Sequence, residues 1–280
     1  MATELTQIVS EESVRRVAEQ LSQENTVFRD AFRNVPIPER TGATFNIPVP
    51  EDKLGEPFNR EPGSDFDYGR EEYREVTLER EEYASGSRIT EQEISDNSFA
   101  LLEDHIDRHS QKMAEKLDKE AFDVLDEAAR TAAPLDDEPL PAGSDNGDDM
   151  TFEDVIQGME VLEAREGGYE GDMLFVGTAA KNGVIRDLSD RGTELGDETI
   201  TGNGIVTNYA GVDIAFSNNN LLTDNDAILV DTEYFGYEGE WSPIQTDQDD
   251  DFDSKSVKLQ IFWRGDWVST QPEAAVRIRG

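Results

Sequence analysis

Cysteine is absent from the chain, and lysine is scarce. Without cysteine, the 280 residues can form neither disulfides nor thiolate metal sites. No apolar run approaches the length of about 18 residues that predicts a transmembrane helix. The first residues also lack the basic flank and apolar core of a signal peptide. Packing, polar contacts or assembly must therefore stabilise the protein.

Acidic residues dominate the composition. Aspartate and glutamate number 63 against 25 basic residues, of which 18 are arginine and 7 lysine, so the net charge is −38. Such a surface repels itself in dilute buffer, but at molar salt the Debye length falls to about 3 Å and the repulsion is screened. The composition therefore indicates a salt-saturated cytoplasm. It also argues against tight, direct nucleic-acid binding, which needs basic patches.

An acidic disordered protein is the alternative interpretation of this charge. Periodic apolar segments run along most of the sequence, and they favour a folded protein with an α+β pattern.

The N-terminal part is predicted to form an arm followed by a ribbon. Within residues 1–40, Ser10 can cap a short helix, and prolines at 36 and 38 break regular structure. Residues 43–50 and 72–79 alternate as strands around a polar stretch rich in glycine and proline. A two-stranded ribbon is marginal by itself in water, so we expect it to need a partner surface.

A long helix is predicted from Ser98 to Ala129, because apolar residues recur at three- and four-residue steps without proline or glycine. Its length would be about 48 Å at 1.5 Å per residue. Thr90 and Glu93, just before it, have the spacing of a capping box. Three of the seven lysines lie on this helix: Lys112, Lys116 and Lys119.

The remaining chain mixes helices and strands after a break rich in proline, glycine and aspartate at 133–149. A helix capped by Thr151 and Asp154 is followed by a buried strand, a short helix and a hairpin around Ala210-Gly211. Further strands are predicted in AILVDTEYFGYE, KLQIFWRGDWVST and AAVRIR.

Two histidines are candidate metal ligands. His105 and His109 lie four residues apart and share a helix face, as zinc ligands can. Ile106 stands where a zinc protease has glutamate, and neither cysteine nor a third histidine is present. We therefore expect surface or interface histidines, with no cofactor and only loosely held cations elsewhere.

Residues 247–253 resemble the start of a calcium loop. Asp247, Asp249 and Asp251 fit its first, third and fifth positions, but Phe252 replaces the required glycine and Lys258 the required glutamate. A solvated acidic turn is the favoured interpretation.

Two other short motifs are also interpreted as turns. Arg264-Gly265-Asp266 spells an adhesion tripeptide, and Gly202-Asn203-Gly204 lacks the third glycine of a dinucleotide-binding loop. Neither a phosphate-binding loop nor a serine-hydrolase motif is present, and no carboxylate pair stands out in so acidic a chain. We predict a protein that is not an enzyme, without catalytic, cofactor-binding or metal-binding residues.

The order of these segments resembles the major capsid proteins of tailed double-stranded DNA viruses, which have the Hong Kong 97-like fold. FNIPVPEDKLGEPFN through YREVTLEREEYASGSRIT resembles the extended loop of that family. RITEQEISDNSFALLEDHIDRHSQKMAEKLDKEAFDVL resembles its spine helix, and VKLQIFWRGDWVSTQPEAAVRI its returning strands. The resemblance implies an N-terminal arm at 1–41, an extended loop at 42–82, a peripheral domain at 83–131 and 226–270, and an axial domain at 132–225 and 271–280.

The resemblance also implies a function. Subunits would form pentamers and hexamers that close an icosahedral virion shell around double-stranded DNA, assembled in the host cytoplasm without a membrane. Portal, scaffold, protease and decoration proteins would be further partners. The acidity suggests a virus of halophilic archaea. We expect no fused scaffold, because Met1 closely precedes the first predicted helix, and Lys53 is the one ribbon lysine available for the crosslink that some relatives form.

Two alternatives stay open at this point. An encapsulin-like compartment would have the same fold but enclose cargo proteins. A halophilic hydrolase with an unrecognised carboxylate pair is the other.

Overall fold

The computed structural model describes residues 26–38, 40–51, 72–90, 92, 100–131, 150–165, 167–177, 179–181, 183–184, 200–201, 205–206, 208–209, 211–217, 221–222, 226–251 and 255–279. Several sequence predictions lie outside these residues: the helix capped by Ser10, Lys53 in the ribbon, Glu93 of the capping box, and Gly202-Asn203-Gly204.

The described residues form an α+β fold, as predicted. Among the described residues, a 3-10 turn at Phe28–Ala31 precedes the strands and helices, and a second lies near the C-terminus at Pro272–Ala274. In chain order these are β1 (Arg33–Pro36), β2 (Thr44–Glu51), β3 (Glu72–Glu79), β4 (Glu81–Thr90), α1 (Ala100–Thr131), α2 (Phe152–Ala164), β5 (Met173–Val176), β6 (Ile200–Thr201), β7 (Ile205–Val206), β8 (Asn208–Tyr209), β9 (Val212–Phe216), β10 (Asp226–Val230), β11 (Gly236–Asp251), β12 (Ser256–Ser269) and β13 (Ala275–Arg279).

The long helix is confirmed. Helix α1 has the predicted 32 residues, although it begins and ends two residues later than expected. Its buried stripe follows helical spacing, because side chains three or four positions apart share a face. This stripe contains Ile106, Met113, Leu117, Ala121, Leu125 and Ala128.

The first sheet has the strand order β1-β11-β12-β4. Strands β11 and β12 form a long antiparallel hairpin, β4 pairs with β12, and β1 pairs with β11 in parallel. Helix α1 packs against β4 and β12. The buried β12 residues Leu259, Ile261 and Trp263 alternate with more exposed neighbours, as expected for a sheet with one covered face.

The second sheet has the order β13-β10-β5-β9-β8. Its central strand residues, such as Ile228 and Phe175, are fully buried. Helix α2 covers β13 and β10, and a Cβ atom at Gly158 would lie 2.7 Å from Ile278 Cδ1. Thr151 N donates to Asp154 Oδ2 at 2.8 Å, so the predicted cap of α2 is confirmed.

The ribbon and the second hairpin are also confirmed. Strands β2 and β3 are antiparallel, with Thr44 opposite Glu79 and Glu51 opposite Glu72. Strands β8 and β9 pair around Gly211, whose φ of 89° requires a residue that tolerates the left-handed region.

The turn predicted at Arg264-Gly265-Asp266 is wrong. All three residues lie inside β12, where Gly265 pairs with Glu240 of β11. A Cβ atom at Gly265 would lie 2.6 Å from the Gly239 carbonyl oxygen and closer still to the Trp263 ring. Glycine is therefore required here by close packing within the sheet.

The acidic turn predicted at residues 247–253 is wrong for its first five residues. Asp247, Asp249 and Asp251 belong to β11 and lie opposite Gln260, Lys258 and Ser256 of β12. Pairing along this extended hairpin overrides the low strand propensity of aspartate.

The predicted division into arm, loop and two domains stays a prediction. Strand β10 pairs with β5 and β13, although the division assigns it to a different domain from theirs. Residues 26–38, assigned to the arm, pack on α1 and β11.

Candidate functional site: the seam between helix, sheets and ribbon

A buried carboxylate on α1 holds the segment that precedes β1. Asp118 has no exposed surface, and its Oδ1 accepts hydrogen bonds from Val27 N at 2.7 Å and Phe28 N at 2.8 Å. These are N–H groups at the start of a helical turn, which carboxylates satisfy well. The Phe28 ring packs between Phe122 of α1 and Phe175 of β5, with centroids 4.8 and 5.3 Å away. The turn thus joins the helix to the second sheet.

A second buried contact joins this segment to the first sheet. Arg29 forms an ion pair with Glu238 of β11, and its guanidinium lies 5.7 Å from the centroid of the Trp263 ring. Burial raises the pKa of Glu238, although Arg29 acts in the opposite direction. Trp263 Nε1 donates to Glu240 Oε2 at 3.2 Å.

A third cluster ties α1 to the second sheet. Arg277 of β13 donates from Nε to Asp226 Oδ2 at 2.8 Å and from Nη1 to Asp126 Oδ1 at 2.5 Å. Asp126 also accepts from Arg130 at 2.9 Å. Arg277 and Asp226 are largely buried, so molar salt will screen this cluster much less than an exposed pair.

The base of the ribbon is held on the first sheet by apolar and polar contacts. Ile47, Val49 and Leu78 of the ribbon form a small buried cluster with Ile37 and Trp241.

Two hydrogen bonds from β3 reach residues at the C-terminal end of β12. Glu79 N donates to Asp266 Oδ2 at 2.8 Å, and the Arg74 guanidinium donates to the Thr270 carbonyl oxygen. The partner surface expected for the ribbon is therefore, in part, its own subunit.

The two histidines lie where α1 meets β4. His109 Nδ1 is 2.7 Å from Ser85 Oγ, and the two imidazole centroids are 6.4 Å apart. Burial, followed by His105 and Lys112, lowers the pKa of His109. Within the described ranges, no group of three or more histidine or acidic side chains could hold a metal ion. The prediction of no metal or cofactor site stays a prediction.

The three helix lysines are exposed on α1 at positions one and two turns apart. Lys116 forms an ion pair with Glu120, and its Nζ lies 5.7 Å from the centroid of the Tyr83 ring. Among the described helices, none is long and apolar enough to cross a membrane.

No local pattern in the sequence predicts the polar clusters. Asp118, Arg29, Glu238 and Arg277 are separated by up to about 250 positions along the chain, so only the fold brings them together. A weak signal was available for Asp118, since an acidic residue lies between Leu117 and Ala121 on the apolar stripe of the helix. The clusters hold secondary-structure elements in fixed positions relative to one another.

A long helix packed on a sheet, a second sheet, and a ribbon held against β11 and β12 together define a capsid subunit of the Hong Kong 97-like fold. The family model for phage capsid protein matches residues 74–278, so the chain belongs to that family. It is a structural rather than a catalytic protein, and it forms part of the virion capsid.

Solved structures agree on the fold. The chain is similar to the capsid of cyanophage P-SCSP1u with a TM-score of 0.68 and 12% identity, covering 91% of this chain and 88% of the other. It is similar to a structure of Mycobacterium phage Bobi with a TM-score of 0.63 and 18% identity, covering 91% of this chain and 90% of the other. It is also similar to a virus-like particle from Pyrococcus furiosus with a TM-score of 0.59 and 11% identity, covering 96% of this chain and 98% of the other. No curated protein matches the chain.

Proposed function

We propose that this chain is the major capsid protein of a tailed virus of extremely halophilic archaea. In this proposal its pentamers and hexamers close an icosahedral shell around double-stranded DNA at very high salt. The single observation that carries the proposal is a capsid fold with a net charge of −38.

The charge sets the condition for assembly. Every subunit added to a shell brings the same excess of carboxylates close to its neighbours, and long-range repulsion grows with each addition. At molar salt, a Debye length of about 3 Å limits this repulsion to direct contacts. The buried arginines Arg29 and Arg277 are neutralised by buried carboxylates of the same subunit, so they do not offset the negative charge of the exposed surface.

The packaged DNA needs a face with fewer carboxylates. The exposed lysines Lys112, Lys116 and Lys119 support α1 as that face, with salt screening the rest of the inner surface. An assembled shell in which these lysines point outward would contradict this part of the proposal. Assembly in the host cytoplasm with portal, scaffold, protease and decoration proteins belongs to the same proposal.

Electron microscopy at two salt concentrations tests the proposal directly. The chain is produced in a high-salt cytoplasm, purified in molar KCl and imaged before and after dilution into low salt. We expect hexamers, pentamers or closed shells that fall apart on dilution. A monomer at every protein and salt concentration, with or without a co-expressed scaffold, would contradict the capsid proposal.

An encapsulin-like compartment is the second candidate. The similarity to the Pyrococcus furiosus virus-like particle covers nearly all of both chains and concerns the fold, which this candidate shares with the first. Shells purified after nuclease treatment separate the two candidates, because a virus capsid would retain DNA whereas a compartment would retain a cargo protein.

A further inference from the structure

Residues 26–38 run from α1 in the main core to the base of the ribbon. We call this segment the strap. Its first residues lie on α1, its middle forms β1 along β11, and its last residues reach the base of the ribbon.

The first end of the strap is fixed at Asp118. This carboxylate accepts the Val27 and Phe28 N–H groups, and both rings that flank Phe28 belong to the main core. Hydrogen bonds to a charged acceptor are about twice as strong as neutral ones. Loss of the Asp118 charge should therefore weaken the attachment of this end of the strap.

The middle of the strap is held in one register by pairing with β11. Arg33 to Pro36 pair in parallel with Tyr237 to Glu240, and Ile37 N continues the ladder by donating to Glu240 O at 2.8 Å. Just before β1, Arg29 of the strap forms the buried ion pair with Glu238 of β11. A strand held in one register cannot shift at one end alone, because the side chains of every position would then meet different partners.

The second end of the strap meets the ribbon over a glycine. A Cβ atom at Gly239 of β11 would lie 2.6 Å from Leu78 Cδ1 of the ribbon and 2.9 Å from Ile37 Cδ1 of the strap. The two side chains therefore converge over the bare backbone of Gly239 and share one small apolar cluster. A displacement of Ile37 must therefore displace Leu78, since close-packed side chains leave no free space between them.

We propose that the strap couples the two ends of this path, so that seating of the chain at Asp118 sets the order and position of the ribbon strands β2 and β3. The coupling lies within one subunit and does not depend on the proposed function. Its use in a shell, where it would link the polypeptide preceding residue 26 to the extended loop, rests on that function.

Hydrogen exchange measured by mass spectrometry tests the coupling. The full chain in molar KCl is compared with D118N at one assembly state, checked by sedimentation. D123N is the matched control, because Asp123 is an exposed carboxylate on the same helix. We expect D118N to accelerate exchange about tenfold both in residues 26–38 and in Glu72–Glu79, while Phe152–Ala164 stays unchanged. D123N should match the wild type.

The reverse experiment uses the other end. Linked equilibria are reciprocal, so L78A should accelerate exchange at Val27–Ala31 as well as in the ribbon. Should D118N unfold the whole chain, seen as faster exchange in Phe152–Ala164, L78A still decides the question. Faster exchange confined to residues 26–32 in D118N, or to the ribbon and Ile37 in L78A, would overturn the proposal.

Discussion

The main core and the ribbon base bury the same kinds of side chain, but they are braced very differently. The main core lies between α1 and both sheets, and buried ion pairs such as Arg277 with Asp126 join α1 to the second sheet. The ribbon base has five buried residues: Ile37, Ile47, Val49, Leu78 and Trp241. Its polar contacts are hydrogen bonds at the surface or near it.

The ribbon base is small and contains an unpaired donor. Trp241 Nε1 is buried without a hydrogen-bond partner among the described residues. A buried donor left unpaired costs about 1–3 kcal/mol. With five buried residues in its cluster, the ribbon base is the weaker of the two regions.

A matched pair of leucines gives the largest expected contrast. Leu117 and Leu78 are both fully buried, one in each region. We expect L117A to lower the free energy of global unfolding by about 3–5 kcal/mol, and L78A by about 2–3 kcal/mol, because a small cluster at the edge can collapse around the cavity. Urea unfolding in molar KCl measures both.

The location of the loss in the two variants sharpens this prediction. L117A should lose hydrogen-exchange protection throughout the main core, whereas in L78A the ribbon strands should lose protection first. Equal losses of unfolding free energy in the two variants would mean that the ribbon base and the main core form one cooperative unit.

A matched pair of arginines gives the next contrast. R277L leaves Asp226 and Asp126 close together without their shared cation, and breaking a buried pair in this way costs about 3–5 kcal/mol. R74L removes a hydrogen bond to the Thr270 carbonyl oxygen near the surface and should cost about 1 kcal/mol or less. Urea unfolding in 1 M and 4 M KCl measures both changes.

Salt distinguishes the cause of the R277L effect. The carboxylates left behind are largely buried, so raising KCl should restore little of the lost stability. Full recovery in 4 M KCl would show that water and ions reach this cluster in the folded subunit.

Local pattern predicted the elements of this fold well. The helix α1, the ribbon, the capped α2 and the β8–β9 hairpin each follow from a periodicity or a turn residue within a short stretch. The Hong Kong 97-like fold followed from the order of these elements rather than from any sharp motif.

Long-range pairing explains the failures. Gly265 suggests a turn because glycine usually marks one. In the structure, glycine is required there because the Trp263 ring of the same strand and the Gly239 carbonyl of the neighbouring strand both lie close to its Cα. Asp247 to Asp251 belong to a strand because β12 lies beside them, which no local pattern indicates. The Asp118 contact and the Gly239 contact depend on packing between distant segments for the same reason.

The smallest expected contrast is in the pH dependence, at the junction of ribbon and sheet. Burial raises the pKa of Asp266 above its ordinary value of 3.8, and Glu81 and Glu79 act in the same direction, whereas the N–H groups of Glu79 and Trp267 oppose it. The folded subunit therefore holds this proton more tightly than the unfolded chain. The stabilisation is complete below pH 3.8 and is lost as the pH rises through the raised pKa.

The variant D266N tests this sign. In molar KCl, its free energy of unfolding should fall less steeply than that of the wild type between pH 4 and neutrality, since asparagine has no proton to lose. D249N, which changes an exposed carboxylate on the adjacent strand β11, should keep the wild-type slope. The lowered pKa of His109 acts with the opposite sign below pH 6.5, but it is common to all three proteins and cancels in their differences. An unchanged slope in D266N would mean that the ribbon junction is hydrated, and the contrast with the main core would then rest on packing alone.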